Sequence, residues 1–253
     1  MVPVFVNAFL GMPVPLSGFQ MIVICVATDI APSLSLIYEA PEGDLMGRPP
    51  AIISKQSLID LSLFLKTFLF FGNMECLAAF SNFFIYMYWY WKIGPQDLLL
   101  AFEKWQAGYL GYSNDQLNEA LNNAQTVYFV TLIVCQISNL LSTRTQVLSF
   151  FQQSPFAKKS RNPMLFLGIL IELVLALLIV YLPVFNTYFQ TAPIPAVFWF
   201  IPLFFDVLIF FMDEIRKLIV RFVIRITNRI KAKNERKKQA IIASRMQEAS
   251  GHY

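Results

Sequence analysis

The amino-acid sequence predicts an all-α membrane protein, a polytopic helical bundle of five full spans and an N-terminal half-span. Three observations predict it. Hydrophobic residues make up 57% of the chain and charged residues only 14%, against the roughly 25% charged of a soluble domain. Apolar runs recur that approach or exceed the ~20 residues a helix needs to cross a bilayer. The basic residues are also unevenly placed: of 20 Lys and Arg, 11 lie between Arg216 and Arg245, and four more (Arg144, Lys158, Lys159 and Arg161) share one short loop. An excess of Lys and Arg marks cytoplasmic segments, and two spans separate these two places, as that rule requires.

Residues 1–12 are apolar but about half the length of a span, so they read as the end of one that begins before Met1. With no basic stretch ahead of them and no small-residue cleavage site, they do not read as a signal peptide. Pro13 and Pro15 then make a tight turn, and residues 16–38 return across the membrane with Asp29 as their one formal charge. The polar loop 39–60 follows, where Pro49-Pro50 forbids a continuous helix.

The span 61–90 carries Glu75 near its middle and ends in the run Tyr86-Met87-Tyr88-Trp89-Tyr90-Trp91, whose rings suit the headgroup level. Glu75 either pairs with Lys66 on the same helix or adds a charge to the bundle interior. A non-cytoplasmic loop, 91–125, has two basic and four acidic residues. The span 126–141 ends with Gln136 and Asn139, and the span 164–182 contains Glu172 and stops at Pro183. The last span, 195–212, holds Asp206 and exits into Asp213-Glu214-Ile215-Arg216-Lys217. The chain thus divides into a membrane domain, 1–214, and a basic cytoplasmic C-terminal tail, 215–253.

That tail is periodic. Lys217, Arg221, Arg225, Arg229 and Lys233 recur every four residues, with Leu218, Phe222, Ile226 and Ile230 one position later, so a continuing helix sets a basic stripe beside an apolar one. The stripe is either a topology anchor or a contact with anionic cytoplasmic lipid, worth ~1 kcal/mol per basic residue near the surface. Because it grows out of a membrane span, nucleic acid is not its partner. The three cysteines, Cys25, Cys76 and Cys135, all fall inside spans and read as buried structural thiols, with no disulfide or zinc pattern.

The chemistry concentrates at Thr28, Asp29 and Pro32. A carboxylate at membrane depth costs roughly 3 kcal/mol or more and persists where it faces a bundle interior, a partner charge or an ion. Pro32 has no N–H for the carbonyl of Thr28 four residues back, so the helix opens there. A freed carbonyl, a hydroxyl and a carboxylate at an unwound helix suit a hard cation.

These residues resemble the C-terminal membrane part of P-type cation-transporting ATPases, closest to the sodium/potassium- and proton/potassium-pump class. Pro13-Val14-Pro15-Leu16 is similar to the turn between that family's fifth and sixth helices. Thr28-Asp29, with Pro32, Ser35, Leu36, Tyr38 and Glu39, resembles the sixth-helix Thr-Asp-x-x-Pro-x-x-Ser-Leu-x-Tyr-Glu. Asp213-Glu214-Ile215-Arg216-Lys217-Leu218-Ile219 resembles Asp-Glu-Val-Arg-Lys-Leu-Ile at the end of the tenth. The resemblance implies that the bundle corresponds to the end of helix five through helix ten, in a multi-pass protein of the plasma membrane.

By the same resemblance Thr28, Asp29, Gln136, Asn139 and Glu172 are candidate ligands of a transported monovalent cation. Cys25, Asn139 and Ile171 stand where those pumps carry carboxylates. The chain holds no Asp-Lys-Thr-Gly-Thr phosphorylation segment, so Mg-ATP would be bound by domains outside it, and it is expected not to hydrolyse ATP alone. The implied partner is the missing ATPase half or an intact pump. Gly111-Tyr112-Ser113-Asn114 matches the loop motif Ser-Tyr-Gly-Gln of pumps with a beta subunit poorly, so that subunit is not implied. Two functions stay open: the membrane part of a cation pump, or a non-catalytic truncated or regulatory protein of the same fold.

Overall fold

The computed structural model describes residues 2–42, 61–102, 104–106, 108–145, 147–150, 152–156 and 161–250, with side chains as far as Lys233 except at 62, 228, 231 and 232. Asp44, Pro49-Pro50 and the rest of 43–60, Lys158 and Lys159, and Gly251-His252-Tyr253 lie outside the described residues.

The described chain is helical, with no strand in it. Four helical stretches are long and apolar enough to cross a membrane: Gly18–Tyr38, Leu65–Trp91, Asn114–Thr143 and Pro163–Tyr181. They answer to four of the five predicted spans. The fifth, 195–212, opens α10 (Val197–Ser250), a single helix of 54 residues and about 80 Å that runs into the charged segment without a break. The predicted half-span is α1 (Val2–Leu10), whose 9 residues are too short to cross.

The first span begins with a capping box, in which Ser17 Oγ accepts from Gln20 N at 3.2 Å and Gln20 Oε1 from Ser17 N at 3.3 Å. It comprises α2 (Gly18–Val23), a π-helical turn (Ile24–Thr28), α3 (Ile30–Ser35) and a 3-10 turn (Leu36–Tyr38). The short α4 (Leu61–Phe64) leads through a π-helical stretch (Leu65–Gly72) into α5 (Asn73–Trp91), which ends on left-handed Lys92. The aromatic run at its end splits. Tyr88, Trp89 and Tyr90 are exposed, while Tyr86 and Met87 are buried, Tyr86 lying 5.0 Å from the Phe198 ring at the start of α10.

A short α6 (Pro95–Leu98) precedes α7 (Asn114–Thr143), which is capped by Ser113 and Gln116 and spans about 45 Å. Helix α7 is the hub: α5 and α10 pack along it and against each other, and α8 (Pro163–Tyr181) packs on it and on α3. Tyr128, Phe129 and Ile133 of α7 are fully buried, and Asn82 of α5 donates to Thr131 Oγ1 at 2.7 Å. Beyond α8, α9 (Pro183–Phe189) leads back toward α10.

Both ends of the bundle are tied by polar contacts. At the end away from the basic segments, Leu100 N and Phe102 N donate to Leu10 O and Gly11 O at 3.0 and 2.8 Å. Gln125 Nε2 donates to Val14 O at 2.7 Å. At the basic end Arg144 pairs with Glu39 at 2.6 Å, and Val147 N and Leu148 N donate to Glu42 Oε1 at 2.8 and 2.6 Å. Glu214 accepts from Ser149 Oγ and Phe150 N at 2.7 and 2.8 Å.

Lys217 corrects the tail reading. Instead of opening the surface stripe it is fully buried with Asp213, 2.8 Å from Asp213 Oδ2 and 3.1 Å from Thr145 Oγ1, because the α7–α8 loop covers that turn of α10. The exposed basic stripe starts two turns later, at Arg225, because Arg221 is half-buried and donates to Gln152 Oε1 at 3.0 Å. The thiols also differ from the expectation: Cys135 is buried, Cys76 is half-buried and Cys25 is exposed.

Breaking a buried ion pair from one side costs about 3–5 kcal/mol, whereas an exposed partner is worth about 1 kcal/mol or less. Asp213→Asn therefore lowers the unfolding free energy of the chain in mixed micelles by about 3–5 kcal/mol, and adding Lys217→Met recovers most of the loss. Arg216→Ala, which removes the more exposed partner of Asp213, costs about 1 kcal/mol. Equal losses for Asp213→Asn and Arg216→Ala in an SDS titration would contradict this ranking.

Candidate cation site

The π-helical turn arises where the sequence loses a hydrogen bond. Pro32 cannot donate to the Thr28 carbonyl, and one turn earlier the chain takes up an extra residue, so that Asp29 N donates to Ile24 O, five residues back, at 3.1 Å. The expected unwinding is thus a widened turn, with Asp29 keeping right-handed helical angles (φ −75°, ψ −26°). Thr28 is fully buried and its Oγ1 donates to Ile24 O at 2.9 Å, which leaves the hydroxyl oxygen free to accept. Asp29 is half-buried beside it, and Cys25 points outward.

Helix α8 faces this break with Glu172. The side chain is fully buried, and neither carboxyl oxygen has a hydrogen-bond partner among the described residues. Glu172 lies within electrostatic range of Asp29 and of Asp206 on α10, and Glu75 on α5 lies within range of Asp29 and Asp206. Four carboxyls from four helices thus share one interior. They do not crowd to a point: among the described residues no three acidic, thiol or imidazole groups are placed to hold one metal ion. One oxygen each of Glu75 and Asp206 is buried without a hydrogen-bond partner among the described residues.

Helix α7 supplies the amides. Asn139 lies against Glu75, and its Oδ1 accepts from Thr143 Oγ1 at 3.1 Å. Gln136 is half-buried, and its buried Oε1 has no hydrogen-bond partner among the described residues. The structure therefore links Asp29 with Glu172 and sets Asn139 beside Glu75, while no hydrogen bond joins Gln136 to the others. The Glu75–Lys66 pairing does not form, since Lys66 sits over the Phe71 ring at 5.8 Å and lies near Asp213 and Glu42 at the basic end.

Asp206 was not among the predicted ligands. Its depth in an apolar span was the available signal, and its setting comes from other helices: Ser138 Oγ donates to its carbonyl at 3.1 Å and Cys135 approaches its carboxyl.

Residues 13–219 match the family described as Cation transporting ATPase, C-terminus. The chain belongs to that family. All five predicted ligands lie inside the match. The chain is 31% identical over 230 residues to human sodium/potassium-transporting ATPase subunit alpha-4. To the Xenopus laevis potassium-transporting ATPase alpha chain 1 it is 32% identical over 231, and to the human potassium-transporting ATPase alpha chain 2 it is 29% identical over 228. Each alignment takes in 87% of this chain and 22% of the relative. The resemblance to type II P-type pumps holds, and the chain corresponds to the C-terminal membrane part of a cation-transporting ATPase.

A buried carboxyl without partners costs about 1–3 kcal/mol of stability. Glu172→Leu is therefore expected to raise the unfolding free energy of the chain in the absence of cation by about 1–3 kcal/mol. A destabilised variant in the same SDS titration would mean that Glu172 makes structural bonds.

Proposed function

We propose that this chain forms one wall of a transported monovalent-cation site in the membrane part of a P-type pump. Asp29 and Glu172 supply charge, and Thr28, Gln136 and Asn139 supply neutral oxygens. The observation that carries the reading is Glu172, a fully buried carboxyl with both oxygens unpartnered, facing the half-buried Asp29 at the helix break. A carboxyl kept so at membrane depth is a functional group in want of a counter-charge. Glu75 and Asp206 extend the same field. ATP hydrolysis would be the work of nucleotide and phosphorylation domains in the rest of such a pump, and the chain supplies ion binding.

The finer architecture follows the same reading. Five spans and the α1 half-span form the membrane domain, 1–214, and the tail, 215–253, lies in the cytoplasm of a plasma-membrane protein. Support comes from α10, which runs unbroken out of its apolar stretch into half-buried Arg221 and exposed Arg225 and Arg229. These residues, beside exposed Leu218, Phe222 and Ile226, suit anionic lipid. A second function, a non-catalytic regulator that joins an intact pump, is favoured by Cys25 and Ile171, exposed side chains where the resemblance places carboxylates.

The cation reading is tested on the full chain in lipid nanodiscs with thallous ion as the probe, its binding followed by 205Tl NMR. Weak saturable binding is expected, displaced by K+ or Na+ and weakened about tenfold or more by Asp29→Asn or Glu172→Gln, a loss of roughly 1.4 kcal/mol. Unchanged affinity in both variants would leave the regulatory reading. The lipid contact is tested separately on vesicles. Replacing Arg221, Arg225 and Arg229 by Gln weakens preference for phosphatidylserine over phosphatidylcholine by about fivefold per residue, and an unchanged preference refutes the contact.

A further inference from the structure

Helices α3 and α8 meet more closely than side chains allow. A Cβ placed on Gly168 would lie 3.1 Å from Ala31 O, 3.2 Å from Pro32 Cα and 3.3 Å from Ser35 Cβ. Two of these three atoms are main chain, so no rotamer change can relieve the contact. The α3 segment is itself held in place. Ser35 Oγ donates to Pro32 O at 2.5 Å, and Asn162, just before α8, donates to Ser35 O at 2.9 Å and to Glu39 Oε2 at 3.2 Å. Glu39 in turn pairs with Arg144. Any group added at Gly168 must therefore push α8 away.

Glu172 is four residues further along α8, one turn on the same face. That face is the buried one, with Leu165, Gly168, Glu172, Ala176 and Ile179 in register. Small residues let membrane helices approach backbone to backbone, and here the closest approach falls at Ala31 and Pro32, just beyond the break that carries Asp29. Gly168 is thus the fulcrum that decides how near Glu172 stands to Asp29.

We propose that Gly168 is a positioning residue, setting the reach of the Glu172 carboxyl toward the Asp29 break and thereby the cation affinity of the site. Its functional meaning rests on the cation reading above, although its geometry does not. A methyl group requires α8 to shift by a few tenths of an ångström, a distance on the scale of the ~0.5 Å within which a binding site must be held.

The test uses the full chain in nanodiscs, labelled with 13C-glutamate, the Glu172 Cδ resonance being assigned by its loss in Glu172→Gln. Asp29→Asn shifts that resonance in the parent chain. In Gly168→Ala the shift falls by about half or more, as the two groups separate, whereas Leu167→Phe, on the exposed side of α8, leaves it intact. Thallous-ion affinity falls about three- to tenfold in Gly168→Ala, with the number of sites unchanged, and further in Gly168→Val. If Gly168→Val does not accumulate, Gly168→Ala decides. An undiminished response of Glu172 to Asp29→Asn overturns the inference, and so does a loss of sites at unchanged affinity, which would make Gly168 a folding residue only. If the parent binds no thallous ion while Glu172 still loses its response in Gly168→Ala, the cation reading fails and the positioning geometry stands.

Discussion

Inside a bilayer there is no water to complete a hydrogen bond or screen a charge, and this chain meets that constraint in two opposite ways. At the basic end every fully buried charge among the described residues has an opposite. Asp213 lies between Lys217 and Arg216, and Arg144 meets Glu39. Glu42 and Glu214 take backbone N–H groups from the loop between α7 and α8. These carboxylates draw the end of the first span, that loop and α10 into one unit. In the bundle interior, by contrast, carboxyls from α5, α8 and α10 carry oxygens that no group among the described residues satisfies. The paired charges hold the helices in register, and that register keeps the unpaired ones apart from solvent and from one another.

The close contact of α3 with α8 links the two regimes. Asn162 and Glu39 belong to the paired end, Gly168 to the helix seam and Glu172 to the unpaired interior, and they follow one another along α8 and its flank. The ion network and the buried carboxyl thus lie along one helix face.

Much of the fold was legible in the sequence, because hydrophobic length marks a membrane helix independently of its neighbours. The pairing of Glu39 with Arg144 was not, nor was the burial of Lys217. An i, i+4 series of basic residues tells which side of α10 they share, while only the covering loop, remote in sequence, decides which of them is exposed. The break at Asp29 was foreseen from Pro32, since a missing N–H is a local fact. Its form as a π-helical turn was not, because the sequence does not say how the chain makes up the lost bond. Of the candidate ligands, Asp29 and Glu172 were found by depth and by resemblance, and the structure sets them within range of each other. Asp206 escaped selection because its neighbours, Glu75 and Cys135, come from other helices. Gly168 reads in sequence only as a weak point in an apolar helix, and its meaning exists only against the backbone of α3.

The extra residue in the π-helical turn has an angular consequence. Each residue turns an α-helix by about 100°, so one additional residue rotates everything after it by that amount relative to an unbroken helix. The buried positions follow this phase change: Gln20 and Val23–Ile24 lead on to Thr28, Pro32 and Ser35, where a steady period from the first turn would have carried the stripe to Ala27 and Ala31, both only half-buried. The extra residue therefore keeps the buried stripe on one side of the span, and Asp29 sits at the seam where the sequence phase of that stripe moves on by one position.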